Sequence, residues 1–92
     1  MSEFMVVCTF KEGTVMSDVF AVVAQEREAA AAMHADGRIG EIKLATPQGK
    51  VFIQAFADDA ETAHANIATL PMATWWDIEV YAIVPPAPAP AS

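Results

Sequence analysis

The chain has 92 residues, one cysteine and a net charge of −7. That length suits one domain near the lower limit for folding without staples, and a lone cysteine allows no intrachain disulfide and points to no oxidising compartment. Lys11, Arg27, Arg38, Lys43 and Lys50 are its only cations, too few and too scattered for a phosphate backbone, which argues against nucleic-acid binding.

In chain order, "MSEFMVVCTF" has no basic region ahead of its apolar residues, so it does not read as a signal peptide. No apolar run approaches the roughly 20 residues of a membrane helix, and a soluble, cytoplasmic protein is expected. Residues 3–10 are β-branched and aromatic and predict a strand. After the loop "KEGTVMSD", with Ser17 as a plausible cap, "VFAVVAQEREAAAAMHAD" predicts one helix closed by Gly37. "RIGEIKLA" and "KVFIQAFA" predict two strands of a hairpin joined by the turn "TPQG". Asp58, with Glu61 three residues on, has the form of a capping box for a second helix that Pro71 stops. "WWDIEVYAIV" predicts the last strand, with Trp76, Ile78, Val80 and Ala82 on a core face and Trp75, Asp77, Glu79 and Tyr81 on the other.

The order β-α-β-β-α-β predicts an α+β, ferredoxin-like domain over residues 1–84, with an antiparallel sheet carrying both helices on one face. Residues 85–92, "PPAPAPAS", read as a Pro/Ala-rich tail without a core of its own. The hydrophobic share of 54% exceeds the roughly 45–50% of an average domain, a figure that includes glycine. A small chain cannot bury that much alone, so a homodimer or higher homo-oligomer packed through the Trp75/Tyr81 face is expected.

Glu26 is the most informative residue for chemistry. Val19, Val22, Ala29, Ala30 and Met33 lie three, four or seven positions from it, which places a carboxylate in the apolar stripe of the first helix. Burial there raises its pKa and suits it to proton transfer; at the edge of the stripe it would snorkel to water instead. His64 is placed in the same way near Ala60, Ile67 and Ala68, where a packed or half-exposed histidine is the plain alternative. His34 complements the end of the first helix, Cys8 reads as a small buried apolar residue, and Glu41 with Lys43 as a surface pair. The two histidines lack metal-ligand spacing, and no phosphate loop, nucleophile elbow or dinucleotide fingerprint is present, so neither metal nor cofactor is expected.

"LPMATWWDIEV" resembles the "LP…DIEV" ending of the muconolactone isomerase family. "ETAHANIATLP" is similar to that family's second helix, and "EREAAAAMHADG" to its first. The resemblance implies a dimeric α+β barrel and a cofactor-free shift of a proton and double bond in a small lactone. It sets Glu26, Arg27 and Glu28 on the family's first-helix triplet, His64 on its second-helix histidine, and Asp77 and Glu79 on its last strand. The expected catalytic pair is Glu26 and His64, with Arg27, Tyr81, Trp76 and Lys43 expected as substrate contacts. "RIGEIKLATPQGKVF" departs from the family by offering only Arg38, Lys43 and Lys50 to a carboxylated substrate. The functional expectation is an isomerase or related cyclase acting on a small enolisable lactone or ketone. The alternatives are a cofactor-free oxygenase of the same fold and a non-catalytic ligand-binding or assembly module.

Overall fold

The computed structural model describes residues 1–84; the expected tail lies outside them. Strand β1 (Ser2–Phe10) is followed by helices α1 (Met16–Ala21) and α2 (Val23–Ala35) and by strands β2 (Ile39–Ala45) and β3 (Lys50–Ala57). Helix α3 (Ala60–Ala68) and strand β4 (Trp76–Ile83) complete the order. The four strands form one sheet in the order β2-β3-β1-β4. All three pairings are antiparallel. The expected α+β, ferredoxin-like architecture is what the chain adopts.

Alternation along the two central strands sorts the side chains. Phe4, Val6 and Cys8 of β1 and Val51, Ile53, Ala55 and Ala57 of β3 are buried beneath the helices. Met33 of α2, Ala63 and Ile67 of α3, and Trp76 join the same core. Among the described residues the opposite sheet face carries no helix. There Val7 lies opposite Phe52, and Met5 opposite Tyr81, among polar residues that pair with one another: Lys50 Nζ donates to Thr9 Oγ1 (2.8 Å) and Gln54 Nε2 to Glu3 Oε2 (3.1 Å).

The structure corrects several local expectations. The first helix is two helices, broken at Val22 (φ −109°, ψ 11°), where β-branched Val19, Val22 and Val23 crowd the turn. Ser17 lies inside α1 and caps nothing, since the helix begins at Met16 after an extended Val15. Asp59, not Asp58, caps α3, accepting the Thr62 N–H at 2.7 Å. "TPQ" forms a 3₁₀ turn closed by Gly49 at φ 64°, the left-handed region that glycine enters freely. A second 3₁₀ turn, Pro71–Trp75, takes Trp75 out of the last strand. Ala82 is exposed rather than part of the core. Glu41 and Lys43 form no ion pair; the ion pair among the described residues joins Arg38 to Asp36 at 2.8 Å. Gly37, at φ 84°, does follow the end of α2, its N–H donating to His34 O. No helix among the described residues is long and apolar enough to cross a membrane.

Candidate functional site

A cavity of about 340 Å³ opens between α2 and the β2–β3 edge of the sheet. Val23, Glu26, Arg27 and Ala30 reach it from α2, spaced three, four and seven apart and so on one helical face. Ile42, Leu44, Val51 and Ile53 form the strand wall, and Met72 and Trp76 close the end. The bulge between Ile39 and Ile42 resets the register of β2 so that Ile42 and Leu44 stand opposite Ile53 and Val51.

Glu26 is half-buried in this apolar wall. Its Oε1 accepts the Met72 backbone N–H at 2.9 Å. Pro71 opens the 3₁₀ turn, and the first N–H groups of a helical turn have no partner within it. The carboxylate satisfies one of them. Burial raises the Glu26 pKa, and the Met72 hydrogen bond only partly offsets the rise. The result is a carboxylate that takes a proton more readily than an exposed one. Its charge also reaches Cys8: burial first, and Glu26 second, push that thiol up to about 12.

Of the other expected site residues, the structure brings Arg27 and Trp76 to the same cavity as Glu26. Arg27 is exposed at the mouth, and Trp76 is 4% exposed. His64, Tyr81 and Lys43 do not line it. The buried face of α3 runs through Ala63 and Ile67, so His64, one residue past Ala63, faces outward. Tyr81 is on the helix-free sheet face, its hydroxyl donating to Glu79 Oε2 at 2.7 Å, a bond that raises the Tyr81 pKa. Lys43 is exposed and pairs in register with Phe52 of that same face. Arg38 is engaged by Asp36. Among the described residues no group of three or more His, Cys, Asp and Glu is placed to hold a metal ion.

Two features were missed by sequence reasoning. Trp76 packs edge-on to Phe10, with ring centroids 6.1 Å apart, and its buried Nε1–H has no hydrogen-bond partner among the described residues. Leaving such a donor unsatisfied costs about 1–3 kcal/mol. A second cavity, of about 500 Å³, lies beside the first under α1. It exists because the break at Val22 lets Met16, Val19 and Phe20 of α1 form a separate wall. The pair of tryptophans in the sequence was a signal for the first feature; nothing local signalled the second.

No protein-family model matches the chain, and no curated protein matches it in sequence. In structure it is similar to the crystal structure of muconolactone isomerase, with a TM-score of 0.73 and 21% identity, over 98% of this chain and 96% of that one. At that identity the likeness speaks for the architecture alone: the chain has the fold of muconolactone isomerase.

Proposed function

We propose that the protein is a cofactor-independent isomerase that shifts a proton, and with it a double bond, in an enolisable carbonyl compound. One observation carries this reading: the Glu26 carboxylate sits in the wall of an apolar cavity with its pKa raised by burial. Met72 N–H holds Oε1, so Oε2 is the oxygen assigned to the proton. It takes hydrogen from the carbon next to the carbonyl; the C–H electron pair becomes the enolate double bond, and charge moves to the carbonyl oxygen. Glu26 then returns the proton to the far carbon of the extended enolate, and the carboxylate is regenerated. The cycle balances without oxidant or metal. Arg27, at the mouth, is a candidate contact for a polar end of the substrate. His64, Tyr81 and Lys43 would need a surface contributed by another subunit to take part.

Homodimerisation through the helix-free sheet face belongs to the same proposal. Met5, Val7, Phe52 and Phe56 are only half-buried in the single chain, while their polar neighbours are already paired within the chain, an arrangement that tolerates a covering surface.

The Glu26–Met72 hydrogen bond also fits a non-catalytic ligand-binding module, in which the carboxylate merely holds the turn. Conversion of a β,γ-unsaturated cyclic ketone or lactone to its conjugated isomer, followed by ultraviolet absorbance, separates the two. The isomerase reading expects wild type to accelerate the shift and Glu26→Gln to abolish most of the acceleration. Equal rates for wild type and variant would leave the binding module.

A further inference from the structure

Glu26 leaves part of its surroundings unexplained. Trp76 lines the same cavity, is 4% exposed, and carries an Nε1–H with no acceptor among the described residues. The neighbouring cavity of about 500 Å³ shares Val23, Leu44, Val51 and Met72 with the first, so the two adjoin along one apolar wall. We infer that the site takes a neutral, largely hydrocarbon carbonyl compound longer than a single ring, its carbonyl oxygen accepting from Trp76 Nε1–H and its apolar extension lying in the cavity under α1. The inference rests on the proton-shift reading of this site and names its substrate class.

Size supports the extension. A cavity of about 150 Å³ already takes benzene, and the Glu26 cavity alone is about 340 Å³. Polarity supports the rest. Among the described residues lining the first cavity, Glu26 and Arg27 are the only charged ones, and Arg27 is exposed, as suits a side chain whose charged head favours water. Lys50 borders the second cavity, but its ammonium donates to Thr9 on the opposite sheet face. A carboxylated substrate would therefore meet Glu26 and a chain of net charge −7 with one mouth-side cation in compensation. A neutral ketone meets one donor where charge develops on its oxygen. The indole nitrogen is closed to solvent, so the oxygen reaches it only once a side chain of the wall moves aside; Met72, which lines both cavities, is unbranched and repacks easily.

Calorimetric titration of the full chain with a graded set of probes tests this: tetralin, β-tetralone, a carboxylated β-tetralone and a hexyl-substituted β-tetralone. The ketone is expected to bind roughly fivefold or more tighter than tetralin, and the hexyl chain to add about 30-fold or more. The carboxylated probe is expected to bind more weakly than the neutral ketone. Trp76→Phe should erase the ketone's advantage over the hydrocarbon, and Thr46→Trp, which fills the second cavity, should erase most of the gain from the chain. If Trp76→Phe does not fold, the wild-type series decides alone. Equal affinity for tetralin and β-tetralone, preference for the carboxylate, or no gain from the chain overturns the inference. Exchange of the ketone's α-protons in deuterated buffer is read in parallel. The expected binding pattern without exchange upholds the substrate class and sinks the proton-shift reading. Exchange without the binding pattern does the reverse.

Discussion

The carboxylate of Glu26 accepts the backbone N–H of Met72 across 46 residues of sequence, at 2.9 Å. The bond ties the first turn of α2 to the 3₁₀ turn that Pro71 begins, directly ahead of Trp76 and β4. One side chain thus serves three ends: it satisfies an N–H that the turn cannot, it fixes one end of the cavity, and it places negative charge against apolar walls. Burial and the hydrogen bond act on its pKa in opposite directions, and burial prevails.

Cys8 should be chemically silent in the folded protein. It is 0% exposed, and its pKa is pushed up to about 12 by burial and by the charge of Glu26. The thiolate is the reactive form, and at pH 8 almost none exists. A thiol-specific disulfide reagent at pH 8 should therefore label the native protein no faster than it unfolds, and label it at once in denaturant. Stoichiometric labelling of native protein within a minute would refute this.

Asp59 should carry the start of α3. Its carboxylate accepts the Thr62 N–H, and that backbone hydrogen bond, together with one from the Thr62 side chain, lowers its pKa. A folded-state pKa below the unfolded value of about 3.9 means that the stabilisation is complete above the unfolded pKa and is lost as pH falls through the folded one. Asp59→Ala should lower the thermal midpoint at pH 7, with the gap to wild type closing in strong acid and Asp59→Asn retaining part of the cap. Melting curves for wild type and Asp59→Ala that coincide at pH 7 would count against the cap.

Much of the fold was legible because strands and turns have local signatures. The two-residue alternation of β1 and β3 and the glycine after His34-Ala35-Asp36 placed the sheet and the end of α2. Glu26 was legible from the spacing of its apolar neighbours. His64 was not: with alanine at positions 60, 63, 65 and 68 of α3, several helical phases bury similar side chains, and only packing of Ala63 and Ile67 selects one. The Met72 N–H, the unpartnered Trp76 nitrogen and the break at Val22 depend on contacts between distant segments, which periodicity does not encode. The expected Trp75/Tyr81 interface needs the same correction, because Trp75 stands in the 3₁₀ turn. The apolar residues of the helix-free face are Met5, Val7, Phe52 and Phe56.

Phe52 therefore becomes the residue through which to test assembly. It lies between Val7 and Lys43 in register, at the centre of that face, and outside the buried core. The wild-type chain should sediment as a dimer or larger at micromolar concentration, burying on the order of 2,000 Å². Phe52→Glu should weaken association by about 100-fold or more, the scale of a lost central aromatic, with the circular dichroism unchanged. A wild-type monomer at micromolar concentration would end the proposal.

Glu26→Gln separates charge from shape. The amide keeps an oxygen for the Met72 N–H but is no base, so the proposed proton shift should fall by roughly 10²- to 10⁴-fold. In wild type, activity should rise with pH through a pKa above the ordinary carboxylate value of about 4.3, because the ionised form is the base and burial delays ionisation. Stability moves in the opposite sense. With the folded-state pKa raised, the native state holds its proton longer than the unfolded chain, so the Glu26 contribution is most favourable below the unfolded pKa and declines as pH rises through the folded one. The Gln variant lacks that decline and should match or exceed wild type in urea midpoint near pH 7. Glu26→Leu strands the Met72 N–H and should be less stable than the Gln variant by about 1 kcal/mol, the lower end for an unsatisfied, partly buried donor. Urea titrations of the three proteins between pH 4 and 8 check the signs. A Gln variant less stable than wild type throughout that range would mean that the Glu26 charge is stabilised in place, and the case for a poised base would fall with it.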